Sequence, residues 1–246
     1  AWVEVKDAGG RTARSGAVAL TIPPAAGGTA QVVGSVATRK PVVALVFDDG
    51  LEPQAISSIV TTLRRARAGG TFCFNGVNMS RWDAAVRRKV RAAVLDGTIE
   101  MCSHGYSHRT GSTTTYQQAM QDLQANAAME RDLGVSTVPF YRPPYGLLSP
   151  GMQEAASALG YRWILMWSID PSDYTKPAIA DLTQRVVSRA EPGGIAVMHA
   201  IGNMADALPG IIAGLKAKGL RPVTASRLLA AGRPQGWGGA GGGTAG

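Results

Sequence analysis

Two closely spaced histidines and a pair of adjacent aspartates are the residues of this chain whose types and spacing could support chemistry. His104 and His108 are two of only 3 histidines, and their separation of four positions would place both imidazoles on one face of a helical turn. Zinc sites commonly combine two histidines with a carboxylate. Asp48 and Asp49 follow an apolar run, and Gly50 allows a turn that would bring both carboxylates to one site. The pattern predicts a divalent-metal site.

Other polar residues also come directly after short apolar runs. They are Asn75, Ser103, Arg142, Asp170 and His199. Because functional groups gather at the carboxyl ends of parallel strands, we expect these residues to lie near the two aspartates. Taken alone, a histidine at such a position is more often a structural residue than a catalytic one.

The apolar runs alternate with longer amphipathic stretches along the chain. The sequence predicts strands over Val42–Phe47, Thr71–Phe74, Thr98–Cys102, Pro139–Tyr141, Arg162–Trp167, Gly194–Met198 and Leu220–Val223, with helices near 54–68, 83–95, 116–133, 151–159, 178–190 and 205–218. Repeated strand–helix units imply an α/β fold with about seven parallel strands covered by helices. This rhythm fits both an open sheet and a closed barrel.

The chain divides into three segments by composition. Residues 1–38 contain two β-like runs, Val18–Ile22 and Gln31–Val36, which predict a small hairpin or cover segment. Residues 39–231 carry the strand–helix pattern and form the predicted catalytic domain. The glycine-rich residues 232–246 predict a flexible tail or linker stub.

Composition excludes several classes of protein. Hydrophobic residues make up 45% and charged residues 17% of the 246 positions, which is typical of neither a disordered chain nor a coiled coil. No apolar run approaches the roughly 18 residues of a membrane span. A net charge of +8 favours anionic partners such as wall polymers. With 6% aromatic residues and no interleaved basic–aromatic pattern, we do not expect nucleic acid as a partner.

The two cysteines, Cys73 and Cys102, fall on the second and third predicted strands. A disulfide between adjacent parallel strands is geometrically awkward. We therefore expect two buried free thiols rather than a disulfide.

Five motifs in order carry a family resemblance. They are Phe47-Asp48-Asp49-Gly50, His104-Gly105-Tyr106-Ser107-His108, Arg142-Pro143-Pro144-Tyr145, Asp170-Pro171-Ser172-Asp173-Tyr174 and Val197-Met198-His199. Over about 190 residues, from Val42 to Leu229, the chain resembles the polysaccharide deacetylase family, the metal-dependent carbohydrate esterases related to the nodulation deacetylases. The resemblance implies a distorted (β/α) barrel.

The resemblance also implies a metal site and a catalytic base. Asp49, His104 and His108 would hold a divalent metal, with Zn²⁺ the first expectation and Co²⁺, Mn²⁺ or Ni²⁺ the alternatives. Asp48 would be the general base that deprotonates the metal-activated water. Arg142 would hold that base in place.

The remaining roles implied by the resemblance concern the substrate. The backbone N–H of Tyr145 would stabilise the oxyanion. His199 would be the general acid, oriented by Asp173. Tyr174 would form a wall of the substrate groove, and Val197 would line the pocket for the acetyl methyl group.

The chain departs from the family pattern at four positions. Gly105 stands where the family usually has Ser or Thr, so one hydrogen bond that supports the histidine loop is expected to be missing. Leu51 replaces a common Pro, Tyr174 a usual Trp and Val197 a usual Leu. None of these changes removes a proposed ligand or proton carrier, so we expect an active enzyme.

The resemblance implies hydrolysis of acetyl groups on a carbohydrate polymer or oligomer: N-acetylglucosamine of chitin or peptidoglycan, or acetylxylan. Two alternatives stay open. One is a related metal-dependent amidohydrolase that acts on a small-molecule amide, and the other is a carbohydrate-binding relic of the fold. We expect a monomer that is secreted or associated with the cell wall, although the chain begins Ala1-Trp2-Val3 without a signal peptide.

Overall fold

The computed structural model describes residues 4–6, 12–14, 28–109 and 111–238. In these ranges the strands are β1 (Glu4–Lys6), β2 (Thr12–Arg14), β3 (Gln31–Val33), β4 (Ser35–Ala37), β5 (Val42–Asp49), β6 (Gly70–Phe74), β7 (Ile99–Ser103), β8 (Phe140–Tyr141), β9 (Trp163–Leu165), β10 (Ile195–His199), β11 (Arg221–Val223) and β12 (Arg233–Gln235). The helices are α1 (Pro53–Ala66), α2 (Gly76–Met79), α3 (Ala84–Leu95), α4 (Tyr116–Leu133), α5 (Pro150–Ala158), α6 (Ile179–Arg189), α7 (Gly202–Ala217) and α8 (Ala225–Leu229).

The main sheet is parallel throughout and strongly curved. Its strands run in the order β10-β5-β6-β7-β8-β9-β3, and β11 pairs with the start of β5. A parallel bridge between Ile169 and Ala196 brings the segment after β9 alongside β10, so the sheet curls towards a barrel. All seven predicted strands are found in this sheet, which confirms the α/β fold class. The short β3 adds an eighth strand.

The alternation of side chains along β5 determines what faces the barrel interior. Val43, Leu45 and Phe47 pack outwards in the core between sheet and helices, whereas Val42, Ala44 and Val46 belong to the interior core. Because side chains alternate between faces along a strand, the even-numbered Asp48 also faces inwards. Asp48 lies near the carboxyl end of β5, beyond the last apolar residue that the strand contributes to the interior core.

Helices cover the sheet through buried apolar faces. In α1, Ile56, Ile59 and Leu63 are buried at helical spacing. Helix α4 begins with a capping box formed by Thr115 and Gln118 and packs against α5. In the described part of the chain, no helix combines the length and apolarity needed to cross a bilayer.

The two ends of the chain differ from the sequence-based expectation. Of the two N-terminal β-like runs, Val18–Ile22 lies outside the described residues. The run Gln31–Val36 is broken at Gly34 into β3, which joins the main sheet beside β9, and β4, which pairs antiparallel with β12. Residues 233–235 fell in the predicted flexible tail, yet they form β12. Trp237 packs against Trp167, with ring centroids 5.3 Å apart, so residues 233–237 belong to the folded structure.

The expectation of two free thiols was wrong, because Cys73 and Cys102 form a disulfide. The two residues are direct register partners on β6 and β7, and their Cα atoms are 4.2 Å apart. Both side chains are buried in the interior core. The sequence placed the cysteines on neighbouring strands but could not give the register, and it is the register that brings the two sulfurs within bonding distance.

Candidate active site

The two aspartates lie where β5 leaves the sheet in a tight turn. Asp49 and Gly50 both have left-handed backbone conformations, with φ of 71° and 74°, so the turn begins one residue earlier than the glycine suggested. The indole N–H of Trp82 donates to the carbonyl of Gly50 at 2.9 Å, and the amide of Asn78 donates to the carbonyl of Asp49 at 3.1 Å. These bonds hold the turn so that both Asp48 and Asp49 reach the carboxyl end of the barrel.

Asp49, His104 and His108 converge on one point. The Oδ1 atom of Asp49 lies 3.5 Å from Nε2 of His104 and 3.2 Å from Nε2 of His108. The expected helical turn between the histidines is absent: residues 104–108 form a bent loop, in which Gly105 and His108 have φ of 73° and 53°. The loop, rather than a helix face, brings the two imidazoles together.

The chemistry of these three groups fits a divalent cation. Oδ1 of Asp49 is buried and accepts no hydrogen bond from the described residues. Nδ1 of His104 lies 2.8 Å from the carbonyl of Arg142; donation from Nδ1–H to that oxygen leaves the Nε2 lone pair directed at Asp49. Burial lowers the pKa of His104 to about 3, so its imidazole is neutral, the form that binds metal. One carboxylate and two imidazoles are a common zinc ligand set.

Asp48 is clamped by a buried arginine. Nη1 of Arg142 donates to both carboxylate oxygens of Asp48, at 3.1 and 3.3 Å. The same guanidinium donates to the carbonyls of Leu165 at 3.0 Å and Met166 at 3.1 Å, which fixes its plane. Burial raises the pKa of Asp48, against the opposing effect of Arg142 and of His199. The result is a carboxylate of fixed orientation beside the three converging groups.

The half-buried His199 and the buried Asp173 form a second pair, and His199 is the register partner of Asp48 on the neighbouring strand β10. Nδ1 of His199 lies 2.7 Å from Oδ1 of Asp173, and its backbone N–H donates to Oδ2 at 2.6 Å. Burial opposes protonation of His199, but the hydrogen bond and charge of Asp173, together with the charges of Asp48 and Asp49, raise its pKa to about 9. The imidazole is therefore charged at neutral pH, with Nε2 free of the Asp173 contact.

Two exposed tyrosines flank these groups. The ring of Tyr145 lies 4.7 Å from that of His108, and the ring of Tyr174 meets that of His199 edge-on at 6.1 Å. Each tyrosine is 61% exposed, so both rings are accessible to a ligand beside the histidines. Val197 lies buried in the sheet two residues before His199.

Three of the polar residues predicted at strand ends form hydrogen bonds that stabilise the nearby backbone or core. The side chain of Asn75 accepts from the N–H of Asn78 and caps α2. Asp170 accepts from the N–H of Ser172 at 2.8 Å, and the hydroxyl of Ser103 accepts from the amide of Asn126 at 2.8 Å. Their positions after strands were predicted, but not that their side chains turn towards the backbone or the core.

Sequence reasoning missed the residues that support the site from other elements. Trp82, Asn78 and Asp122 are distant in sequence from the groups they hold, and none belongs to a motif. Asp122, on α4, accepts hydrogen bonds from the loop that carries the histidines. These contacts are identified only in three dimensions, where α4 packs against β7 and α2 packs against α4.

Comparison with known proteins gives one family. The sequence profile described as polysaccharide deacetylase matches residues 35–164. A peptidoglycan-N-acetylglucosamine deacetylase of Bacillus cereus is 29% identical over 207 residues, which are 82% of this chain and 94% of that protein. A chitooligosaccharide deacetylase of Sinorhizobium fredii is 28% identical over 163 residues, 66% of this chain and 73% of that protein.

Solved structures share the fold. A family 4 carbohydrate esterase of Streptomyces lividans in complex with acetate superposes with a TM-score of 0.68 at 24% identity, over 80% of this chain and 98% of that chain. A family 4 pseudoenzyme of Bacillus anthracis superposes with a TM-score of 0.74 at 23% identity, over 86% and 71% of the two chains. Because a pseudoenzyme has the same architecture, the fold alone does not decide activity, and the residues of the site must.

Proposed function

Since this chain belongs to the polysaccharide deacetylase family, we propose that it hydrolyses acetyl groups from an acetylated carbohydrate polymer, with N-acetylglucosamine units of chitin or peptidoglycan as the preferred class. One observation carries the proposal. Three ligand groups converge beside a carboxylate fixed by arginine and a histidine fixed by a second carboxylate. Of the two relatives compared above, one is named a peptidoglycan-N-acetylglucosamine deacetylase and the other a chitooligosaccharide deacetylase.

The proposed metal ligands are Asp49, His104 and His108. Their ligand atoms all lie within 4.8 Å of one another, and the donor set favours Zn²⁺, with Co²⁺, Mn²⁺ or Ni²⁺ as alternatives. When bound, such an ion polarises the acetyl carbonyl and lowers the pKa of a coordinated water. The chain's own residues must then hold and move the protons.

Asp48 is proposed as the general base. It is next to the ligand Asp49 in sequence, and Arg142 holds both of its oxygens. Arg142 is itself held in place, because its guanidinium also donates to two backbone carbonyls. The orientation of the Asp48 carboxylate is therefore fixed, and it can accept the proton of the attacking water from a defined direction. Arg142 acts as the residue that positions this base.

His199 is proposed as the general acid. Amide hydrolysis expels a poor leaving group, so the nitrogen must be protonated as the tetrahedral intermediate collapses. With its pKa raised to about 9, His199 carries that proton at neutral pH. The contact between Nδ1 and Asp173 leaves Nε2 as the atom that donates it.

The acetyl group is proposed to bind between the two tyrosines. The backbone N–H of Tyr145, in a strained left-handed conformation with φ of 58°, would stabilise the oxyanion. Val197 would contact the acetyl methyl group, and the exposed ring of Tyr174 would contact the sugar. The acid pair His199–Asp173 lies on the Tyr174 side of this groove.

We also propose that the protein works outside the cytosol, secreted or associated with the cell wall. The disulfide between Cys73 and Cys102 supports this location, because disulfides persist mainly in oxidising compartments. The net charge of +8 would favour approach to an anionic wall.

Acetate release tests the proposed function. The Zn²⁺-loaded protein is incubated with chitin oligomers, peptidoglycan fragments and acetylxylan, and acetate is quantified beside an Asp48→Asn control. We expect release from at least one of the glucosamine substrates and none above background from the control. Turnover of a small amide without release from any polymer would instead establish the small-molecule amidohydrolase.

A further inference from the structure

The loop between His104 and His108 lacks the regular backbone hydrogen bonds of a helix or a strand. It belongs to neither a helix nor a strand, so the backbone N–H groups of Tyr106 and Ser107 need acceptors from elsewhere. Both find the same group: the N–H of Tyr106 donates to Oδ2 of Asp122 at 2.8 Å, and that of Ser107 to Oδ1 at 3.0 Å. The hydroxyl of Ser107 also donates to Oδ1, at 2.5 Å.

Gly105 leaves the space in which this carboxylate sits. A Cβ atom at position 105 would lie 2.4 Å from Oδ2 of Asp122, and the φ of +73° disfavours any side chain there. The glycine therefore serves two purposes, the turn and the close approach of Asp122. Without the carboxylate, the two N–H groups would lose their partners at the point where the loop turns towards His108.

We propose that Asp122 is a positioning residue that holds the histidine loop in its metal-binding conformation. This inference rests on the metal site of the proposed function. Hydrogen bonds to a charged carboxylate are stronger than neutral ones, and three of them end on one side chain. The capped helix α4 supplies a rigid base for it.

The effect should fall mainly on His108. His104 is held independently, because its backbone N–H donates to the carbonyl of Phe74 at 3.2 Å and its ring contacts the carbonyl of Arg142. The N–H groups of Gly76 and Val77 donate to the carbonyls of Gly105 and Tyr106 and hold the first part of the loop. His108 directly follows Ser107, so the bonds from Ser107 to Asp122 are the restraint nearest to its imidazole.

Metal affinity measures the proposed role directly. Zn²⁺ dissociation constants are determined by competition with a chromogenic chelator for the wild type, Asp122→Ala, Asp122→Asn and a control, Asp132→Asn. The control removes the same charge from the same helix, at an exposed residue that pairs with Arg87. We expect Asp122→Ala to weaken binding about 10- to 100-fold, as groups that orient metal ligands commonly do. Asp122→Asn keeps one acceptor oxygen and should weaken binding less, while the control stays within about two-fold.

The visible spectrum of the Co²⁺-loaded proteins separates positioning from folding. A displaced His108 should change the Co²⁺ absorption bands in the Asp122 variants but not in the control, whereas a loss of fold stability alone would leave the bands of the folded protein unchanged. Circular dichroism of the metal-free variants identifies the folded ones. If Asp122→Ala does not fold, Asp122→Asn decides the question.

A double-variant cycle tests the coupling to Gly105. Gly105→Ala should weaken Zn²⁺ binding more in the wild type than in the Asp122→Ala background, where the clash is gone. Wild-type affinity and Co²⁺ spectrum in a folded Asp122 variant would overturn the inference and leave the metal site intact. Failure of the wild type to bind Zn²⁺ would instead overturn the proposed function and this inference together.

Discussion

The imidazole of His199 is connected to a single carboxylate through both its ring and its backbone. Asp173 accepts from the ring nitrogen with one oxygen and from the N–H of the same residue with the other. This arrangement fixes the rotation of the carboxylate and the orientation of the imidazole ring. It explains how a half-buried imidazole keeps its proton. It also makes the proposed acid function separable from the proposed metal ligands by substitution.

Replacing His199 should affect different leaving groups unequally. His199→Ala is expected to reduce hydrolysis of N-acetylglucosamine oligomers by at least about 100-fold, the lower end for general acid catalysis. An activated aryl acetate expels a stable phenolate and should lose much less. Paired measurements of kcat/KM on the two substrates test this. Equal losses on both would show that His199 serves the metal site or the fold.

Replacing Asp173 should move the pH profile. The proposed acid is active when protonated, so activity falls as pH rises through its pKa, which Asp173 helps raise to about 9. In Asp173→Asn the charge and its contribution to the pKa are lost, and the alkaline limb of kcat/KM should shift to lower pH. Profiles of the Zn²⁺-loaded wild type and variant from pH 6 to 10 measure the shift; an unmoved alkaline limb would contradict the assignment.

Asp48 and Asp49 are adjacent but are assigned different tasks. Asp48→Asn keeps the shape of the side chain but cannot accept a proton, so turnover should fall at least about 100-fold with Zn²⁺ content unchanged. Asp49→Asn is the matched comparison and should lower Zn²⁺ content. Loss of metal from the Asp48 variant instead would mean that the two roles are reversed.

At the level of elements, the strands and helices could be predicted because their patterns are local. Apolar runs such as Val42–Phe47 identified the seven strands, and alternation along β5 explains why Asp48 faces inwards. The turn at Asp49 could not be predicted, because a left-handed aspartate depends on bonds from Trp82 and Asn78 in other elements. The disulfide was missed for a related reason. The register between β6 and β7 depends on both strands, so neither strand's local sequence predicts that the two cysteines lie side by side.

Helix α4 contains a buried acid whose titration should affect stability. Glu130 is buried and accepts from Asn126 at 2.6 Å and from Thr137 at 2.7 Å. Burial raises its pKa from 4.5 to about 7, although both hydrogen bonds oppose the shift. The folded state then binds more protons than the unfolded state between these values, so the free energy of unfolding should fall as pH rises through that interval, by up to about 1.4 kcal/mol per pH unit from this group.

Glu130→Gln removes this titration while keeping the size of the side chain. Urea unfolding at pH 5, 6 and 7 should show a flatter dependence of the free energy of unfolding on pH than in the wild type. Glu154→Gln, the same change at an exposed position of α5, is the control and should leave the slope unchanged. Parallel slopes for the wild type and Glu130→Gln would refute a raised pKa at Glu130.

For the whole molecule, the alternation of strands and helices predicted a parallel sheet, and the five motifs lie at or after the carboxyl ends of its strands β5, β7, β8, β9 and β10. The ends of the chain were harder to interpret. Glycine-rich composition suggested a tail, whereas Arg233–Gln235 pair with β4 and Trp237 packs on Trp167. Short segments of this kind are stabilised by contacts with distant parts of the chain, and amino-acid composition does not predict those contacts.

If the proposed function is right, acetyl hydrolysis depends on a metal held by Asp49, His104 and His108. The most direct measurement is acetate release from chitin oligomers by protein stripped with a chelator and then titrated with Zn²⁺. We predict negligible release from the stripped protein and recovery that saturates near one equivalent of Zn²⁺, with no recovery for His108→Ala at the same Zn²⁺ concentrations. Full activity of the stripped wild type, or full recovery of the variant, would contradict the account.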